Sequence, residues 1–133
     1  MLASLVRQYS VFIPNKPGAL SSFTKLFLDA DVNISGIASE IRDDSGIVRV
    51  AVDGDTKMGT ILAKAGFTCI ETPILSVELP DMPGVLFNIG KLLSEHDINI
   101  TTVYGASTVG GGKSRVMVAT SDTEKALELL LKH

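Results

Sequence analysis

An α+β fold, built as two consecutive copies of one small module, is what this chain of 133 residues predicts. Three observations carry that expectation. The first is a repeat: Asn15-Lys16-Pro17-Gly18-Ala19-Leu20 returns 66 residues later as Asp81-Met82-Pro83-Gly84-Val85-Leu86. In the same register, Asp31-Val32-Asn33-Ile34 returns as Asp97-Ile98-Asn99-Ile100, and Arg49-Val50-Ala51-Val52 as Arg115-Val116-Met117-Val118, with no gap. The second is strict alternation in Leu75-Ser76-Val77-Glu78-Leu79, the mark of a half-buried strand. The third is a pair of helical apolar stripes, Leu20, Phe23, Phe27 and Ala30 in one copy, and Leu86, Ile89, Leu93 and His96 in the other.

Taken in order, each module opens with a strand, Val6 to Ile13 in the first and Leu75 to Leu79 in the second. Asn15 or Asp81, followed by Pro17-Gly18 or Pro83-Gly84, is turn chemistry leading into a helix. The side-chain oxygen can accept a backbone N–H, proline suits the first turn, and glycine admits close backbone approach. After the first helix, Asp31 and Asp97 mark exit turns, and strands run from Val32 to Ile41 and from Ile98 to Ser107. Arg42 to Gly46 and Thr108 to Gly112 read as hairpin loops, the glycine-rich second one as a flexible flap. Return strands follow at Ile47–Val52 and Lys113–Ala119, with Arg49 and Arg115 facing away from the valines. Second helices carry Met58, Ile61, Leu62 and Ala65, and then Leu127, Leu130 and Leu131 behind a capping box at Ser121–Glu124. A last strand at Phe67–Ile70 closes copy one, whereas copy two ends at Lys132-His133 without one. The modules are therefore residues 1–71 and 72–133, each a ferredoxin-like βαββαβ unit, the second lacking its last strand. The N-terminal segment or a partner chain is expected to complete that second sheet.

Composition narrows the function. Twelve basic against fifteen acidic residues give a net charge of −3, with 5% aromatics and no tryptophan. Neither a phosphate-binding stripe nor a base-stacking platform is present, which argues against nucleic acid. An apolar share of 45% and a mean hydropathy of +0.31 exceed the needs of a small solvated monomer and predict a covered surface. No apolar run reaches membrane-spanning length, so the expected location is cytoplasmic. Cys69 is alone, in an apolar run, and reads as a buried small hydrophobe. No nucleophile elbow, metal spacing or catalytic dyad is visible, and no cofactor motif: Gly110-Gly111-Gly112 precedes a strand, not a phosphate-binding helix.

The opening strand, the Asn/Asp-x-Pro-Gly-x-Leu turn, the amphipathic helix and Asp-Val/Ile-Asn-Ile, all recurring in register, make the chain resemble a small stand-alone tandem ACT-domain protein. The resemblance spans essentially the whole chain. It implies a non-catalytic regulatory protein that binds a small amino acid at a module or subunit interface and transmits occupancy to assembly or to a partner. It also implies a homodimer, with a metabolic enzyme as candidate partner. By position it assigns ligand contacts to Asn15, Pro17, Gly18, Ala19 and Leu20, and to Asp81, Pro83, Gly84, Val85 and Leu86. Asn33 and Ile34, or Asn99 and Ile100, would form the neighbouring wall. Chemically, helix-start N–H groups suit a carboxylate, and an Asn carbonyl or Asp carboxylate suits an ammonium group. The alternative is a regulatory or structural subunit that binds an enzyme and has no small ligand of its own.

Overall fold

The computed structural model describes residues 2–53, 57–107 and 110–133. In chain order its elements are β1 (Leu2–Pro14), α1 (Ala19–Asp29), β2 (Ile34–Arg42), β3 (Ser45–Val52), α2 (Met58–Lys64), β4 (Cys69–Pro80), α3 (Val85–Glu95), β5 (Ile100–Ser107), β6 (Lys113–Thr120) and α4 (Thr123–Leu131). They form two compact units: Arg7–Thr72, and Met1–Val6 together with Pro73–His133. Thr108 and Val109 of the expected second hairpin lie outside the described residues.

The unit Arg7–Thr72 has the strand order β2-β3-β1-β4, and the other has β1-β4-β6-β5. Pairing is antiparallel between β1 and β3, β2 and β3, β4 and β6, and β5 and β6. β1 and β4 are thus divided lengthwise, each contributing one segment to each unit. No strand follows α4 among the described residues. Instead, Leu2–Val6 of β1 belongs to the second unit, and Ala3 packs against its core. β1 starts at Leu2 rather than Val6 because strand pairing, not alternation, makes this stretch extended. For the same reason the expected strands at Phe67–Ile70 and Leu75–Leu79 are a single strand, Cys69–Pro80, running through Pro73. Proline is compatible with extended backbone and forfeits only one donor of the ladder.

Each unit has its own core on the helix-bearing face. Tyr9, Val11 and Ile13, alternating with Gln8, Ser10 and Phe12, join Val48, Val50 and Val52 under Phe23, Phe27, Met58 and Leu62. Phe23 meets Phe27 and Phe67 edge to face, at centroid distances of 5.3 and 5.6 Å. In the other unit, Leu75, Val77 and Leu79 join Val116 and Val118 under Ile89, Leu93, Ala126 and Leu130. Of the expected stripes, Phe23, Phe27, Ile89 and Leu93 are buried and Ala30 packs against the core, whereas Leu20, Leu86 and His96 are not buried. Ala19, Phe23 and Phe27 point inward, whereas Leu20 is 44% exposed and Leu86 is 59% exposed. The buried row steps by four residues, Ala19–Phe23–Phe27 and Ile89–Leu93, and the neighbouring leucine is rotated about 100° away from it. Leu131 is likewise exposed, and Ala126 and Leu129 are buried.

The gapless repeat breaks in the second half of each module. Tyr9 lies opposite Val50, and Leu75, its counterpart at spacing 66, lies opposite Val118 rather than Val116. Ile41 pairs with Gly46 across four residues, whereas Ser107 pairs with Ser114 across six, so the second hairpin is two residues longer. The structural counterpart of Arg49 is therefore Met117, and that of Arg115 is Ile47. The matched Arg-Val-x-Val strings are similar sequence in shifted places. Because the shift is even, both arginines still face away from the core.

Helix ends follow local rules. Asp31 and Asp97 adopt left-handed φ of 56° and 59°. At these exits Val32 N donates to Phe27 O and Asp31 N to Leu28 O, and Ile98 N donates to Leu93 O and Asp97 N to Ser94 O. This is the Schellman arrangement, here without its usual glycine. His96 is the C-cap of α3, its Nδ1 3.0 Å from Leu92 O. At α4 the cap is Asp122, which accepts from Lys125 N at 3.1 Å. Ser121 does not cap: its Oγ accepts from Asn99 N at 3.0 Å and ties β5 to the start of α4.

Candidate functional site

The two duplicated loops leave β1 at Pro14 and β4 at Pro80, and each is tied to the hairpin of its own unit. Asn15 N donates to Asp44 O at 2.9 Å, and Asp81 N donates to Gly112 O at 3.0 Å. The end of the glycine-rich hairpin at Gly112 is thus tied to the second loop. This link was not legible in the sequence, because it joins positions 31 residues apart that only the β4–β6 pairing brings together.

Gly18 and Gly84 are the N-caps of α1 and α3, with φ of 84° and 90°. Both are left-handed, a conformation that costs other residues about 1–2 kcal/mol and glycine almost nothing. Pro17 and Pro83 stand before the N-cap and not in the first helical turn. Neither helix has a side-chain cap, contrary to the expectation that Asn15 or Asp81 supplies one, because each loop turns through glycine and carries that side chain away from the helix. Without a cap, the N–H groups of Leu20 and Ser21, and of Val85, Leu86 and Phe87, have no hydrogen-bond acceptor among the described residues. Such a cluster of open donors at a helix start is complementary to a carboxylate.

The two loops differ in their acidic position. Asn15 Nδ2 donates to Asp43 O at 2.7 Å, which fixes the amide against the hairpin. Asp81 cannot donate, and its carboxylate has no hydrogen-bond or ion-pair partner among the described residues. The loops also differ in apolar dress: Met82 is 60% exposed and Phe87 70% exposed, where copy one has Lys16 and Ser21.

Asn33 and Ile34 sit at the start of β2 and line a hollow of about 580 Å³ with Ser21, Thr24, Lys25 and Leu28 from the outer side of α1. Asn15, Pro17, Gly18, Ala19 and Leu20 do not line it. The candidates of this unit therefore divide into a loop group and a hollow group on either side of Ser21. Lys25 is paired to Asp29 at 2.9 Å, and the Thr24 hydroxyl donates to the Leu20 and Ser21 carbonyls. Ala19 is buried and structural, while Leu20 is available at the surface. Asn99 is held by Ser121 through both backbone groups, donating to Ser121 Oγ and accepting from Ser121 N at 2.9 Å.

Cys69 is half-buried against the first core rather than fully buried. Burial, and then the Glu71 carboxylate, push its thiol above the ordinary value, which suppresses the nucleophilic thiolate. No three His, Cys, Asp or Glu side chains converge as a metal set among the described residues. No helix among them is long and apolar enough to cross a membrane.

Comparison with known proteins fits this geometry. The model of the ACT domain pair family matches residues 4–133. Protein BT0572 from Bacteroides thetaiotaomicron is similar at 25% identity, with a TM-score of 0.85 over 98% of this chain and 89% of that one. The regulatory subunit of aspartate kinase from Thermus thermophilus, in its ligand-free form, is similar at 16% identity and a TM-score of 0.72, over 98% of this chain and 95% of that one. The aspartokinase alpha and beta subunits give 20% identity and a TM-score of 0.67, over 99% and 96%. No curated protein matches by sequence search.

Proposed function

Because the chain belongs to the ACT domain pair family, we propose that it is a non-catalytic regulatory protein that binds a small amino acid at its helix-start loops. Occupancy then changes its self-assembly, as a homodimer, or its affinity for an enzyme partner in the cytoplasm. The duplicated modules are residues 1–71 and 72–133, each read as ferredoxin-like, with the front of β1 taking the place of the last strand that the second module lacks.

The observation that carries this reading is the copy-two loop. Open N–H groups at Val85, Leu86 and Phe87 suit a carboxylate, and the unpartnered Asp81 carboxylate nearby suits an ammonium group. In copy one the Asn15 amide is already engaged by Asp43, which favours copy two as the stronger site. Pro83 and Gly84 shape the loop, and Asn99 and Ile100 form the wall beside it. In copy one the same work falls to Pro17, Gly18, Ala19, Leu20, Asn33 and Ile34. A ligand shifts an assembly only by binding one arrangement better than another, so the loop must contact whatever rearranges.

A second reading has its own support. Exposed Met82, Leu86 and Phe87 surround the same loop and suit burial against a protein, as in a regulatory subunit without a small ligand. The neighbours described as aspartate kinase regulatory subunits make an amino-acid-pathway kinase a reasonable first partner to try. Calorimetric titration of the ligand-stripped protein with each common amino acid, alongside its oligomeric state, decides. Saturable micromolar binding, weakened at least about tenfold by Asp81→Ala, supports the first reading. A flat response from a folded protein transfers the assignment to the second.

A further inference from the structure

Gly90 stands at the midpoint of α3 (Val85–Glu95), and no neighbour among the described residues calls for a glycine there. Its φ is not left-handed, and a Cβ built on it would meet nothing within 4 Å. Glycine inside a helix is less stable than alanine. Its effect here is to keep the backbone bare on the outside of the helix, where another chain can approach closely.

The surroundings are uncharged. Leu86, Gly90 and Ser94 form one row along α3, each a turn from the next. Leu86 is 59% exposed, and Phe87 beside the row is 70% exposed. The Ser94 hydroxyl donates to Lys91 O at 2.9 Å, so it presents a small surface whose donor is already satisfied. Lys91 and Glu95, the charged residues of α3, pair with each other at 3.9 Å. The matching row of α1 looks over the start of β2, where Thr24 and Leu28 share a hollow with Asn33 and Ile34. By the same register, Gly90 and Ser94 look over the start of β5. β5 is the edge strand of its unit, holds neither a charged residue nor a proline, and exposes Val103 by 54%. It lacks the devices that keep a second chain away from a sheet edge.

We propose that this flank of α3, continued by β5, is the surface that receives a second copy of the chain, with the two α3 helices crossing antiparallel at Gly90. The inference rests on the homodimer reading above and names the surface that reading leaves open. The geometry of α3 favours its own copy as the occupant. Because Gly90 is the midpoint of an 11-residue helix, a two-fold axis there overlaps the helices from end to end. Leu86 then meets the partner subunit's Ser94, large against small, twice, with the two bare backbones between. Antiparallel helix dipoles attract, and the last turn of each α3, with Glu95, comes beside the uncapped first turn of the other. The α1 row has no such fit: Leu20, Thr24 and Leu28 would set leucine against leucine around a branched side chain. A ligand at the copy-two loop would sit at one end of the α3 row, where it touches the assembling surface.

Sedimentation velocity of the full chain over a range of concentrations is the test. The expected result is a dimer whose Kd rises at least about tenfold in Gly90→Ala and in Ser94→Leu. Gly90→Ala should at the same time raise the melting temperature measured below the dimer Kd, a split that a purely structural residue would not produce. Leu131→Ala, an equally exposed change on α4, should leave the Kd unaltered. A dimer of unchanged Kd in both folded α3 variants overturns the proposal and leaves the homodimer reading to another surface. A chain that stays monomeric up to about 1 mM overturns both.

Discussion

Val50 and Val118 occupy the same place in their two units, opposite Tyr9 and Leu75 and under the helices, although 68 residues separate them where 66 separate Tyr9 from Leu75. The extra two residues sit in the second hairpin. An even change of register keeps the inward face inward, whereas a one-residue slip of β6 itself would turn Val116 and Val118 to the outer face, which the core opposes. Inserting one glycine beside Gly111 is accordingly expected to be absorbed as a longer loop without shifting the β6 register. Unchanged amide shifts at Val116 and Val118 check this, and a flipped register would show that the loop, not the core, sets the pairing.

Two residues of the expected α1 stripe part company. Phe23 is fully buried in edge-to-face contact with Phe27 and Phe67, while Leu20 is 44% exposed. Phe23→Ala is expected to cost about 3–5 kcal/mol and Leu20→Ala about 0.5 kcal/mol or less, measured by urea denaturation.

Glycines in the second unit divide by what surrounds them. A Cβ at Gly105 would lie 2.5 Å from Arg115 O and 2.7 Å from Val116 Cγ1, whereas one at Gly90, inside α3, meets nothing within 4 Å. Gly105→Ala should destabilise by roughly 1–3 kcal/mol through backbone displacement. Gly90→Ala should stabilise by about 0.4–1 kcal/mol. Thermal unfolding of the two variants distinguishes these opposite signs.

Leu2–Val6 belongs to the compact unit of Pro73–His133, not to the unit that follows it in sequence. Removing residues 2–6 should therefore expose the edge of β4 and lower hydrogen-exchange protection at Leu75, Val77 and Leu79 by at least about tenfold, while Val48 and Val50 keep theirs. Equal loss in both units would contradict the division.

The Cys69 thiol is raised from its ordinary 9.0 by burial first and Glu71 second. A raised acid pKa means the folded state resists losing the proton. Below the ordinary value both states are protonated and stability is unaffected; as pH rises past it, the unfolded chain ionises first and stability declines. At pH 8, Cys69 should react with a thiol reagent more slowly than a cysteine in an unfolded peptide, and Glu71→Gln should speed the reaction. A rate unchanged by Glu71→Gln would leave burial as the sole cause.

Local chemistry was legible residue by residue. Pro-Gly punctuation located both helix starts, Asp31 and Asp97 marked the exits, and period-two alternation placed Val77 inward and Glu78 outward. These features depend on near neighbours along the chain, and their physics is complete within a few residues. The tertiary structure decided what depends on distant pairing. The hydrogen bond from Arg115 to Ser76, the anchoring of Asp81 to Gly112, and the recruitment of Leu2–Val6 to the second unit each join residues brought close only by strand register. Register is set by hairpin length and core fit, and the two-residue difference between the hairpins moved Arg115 away from the counterpart that its sequence neighbours suggested. Similar strings need not occupy equivalent places, because what a residue faces is decided by which side chains the sheet sets opposite one another.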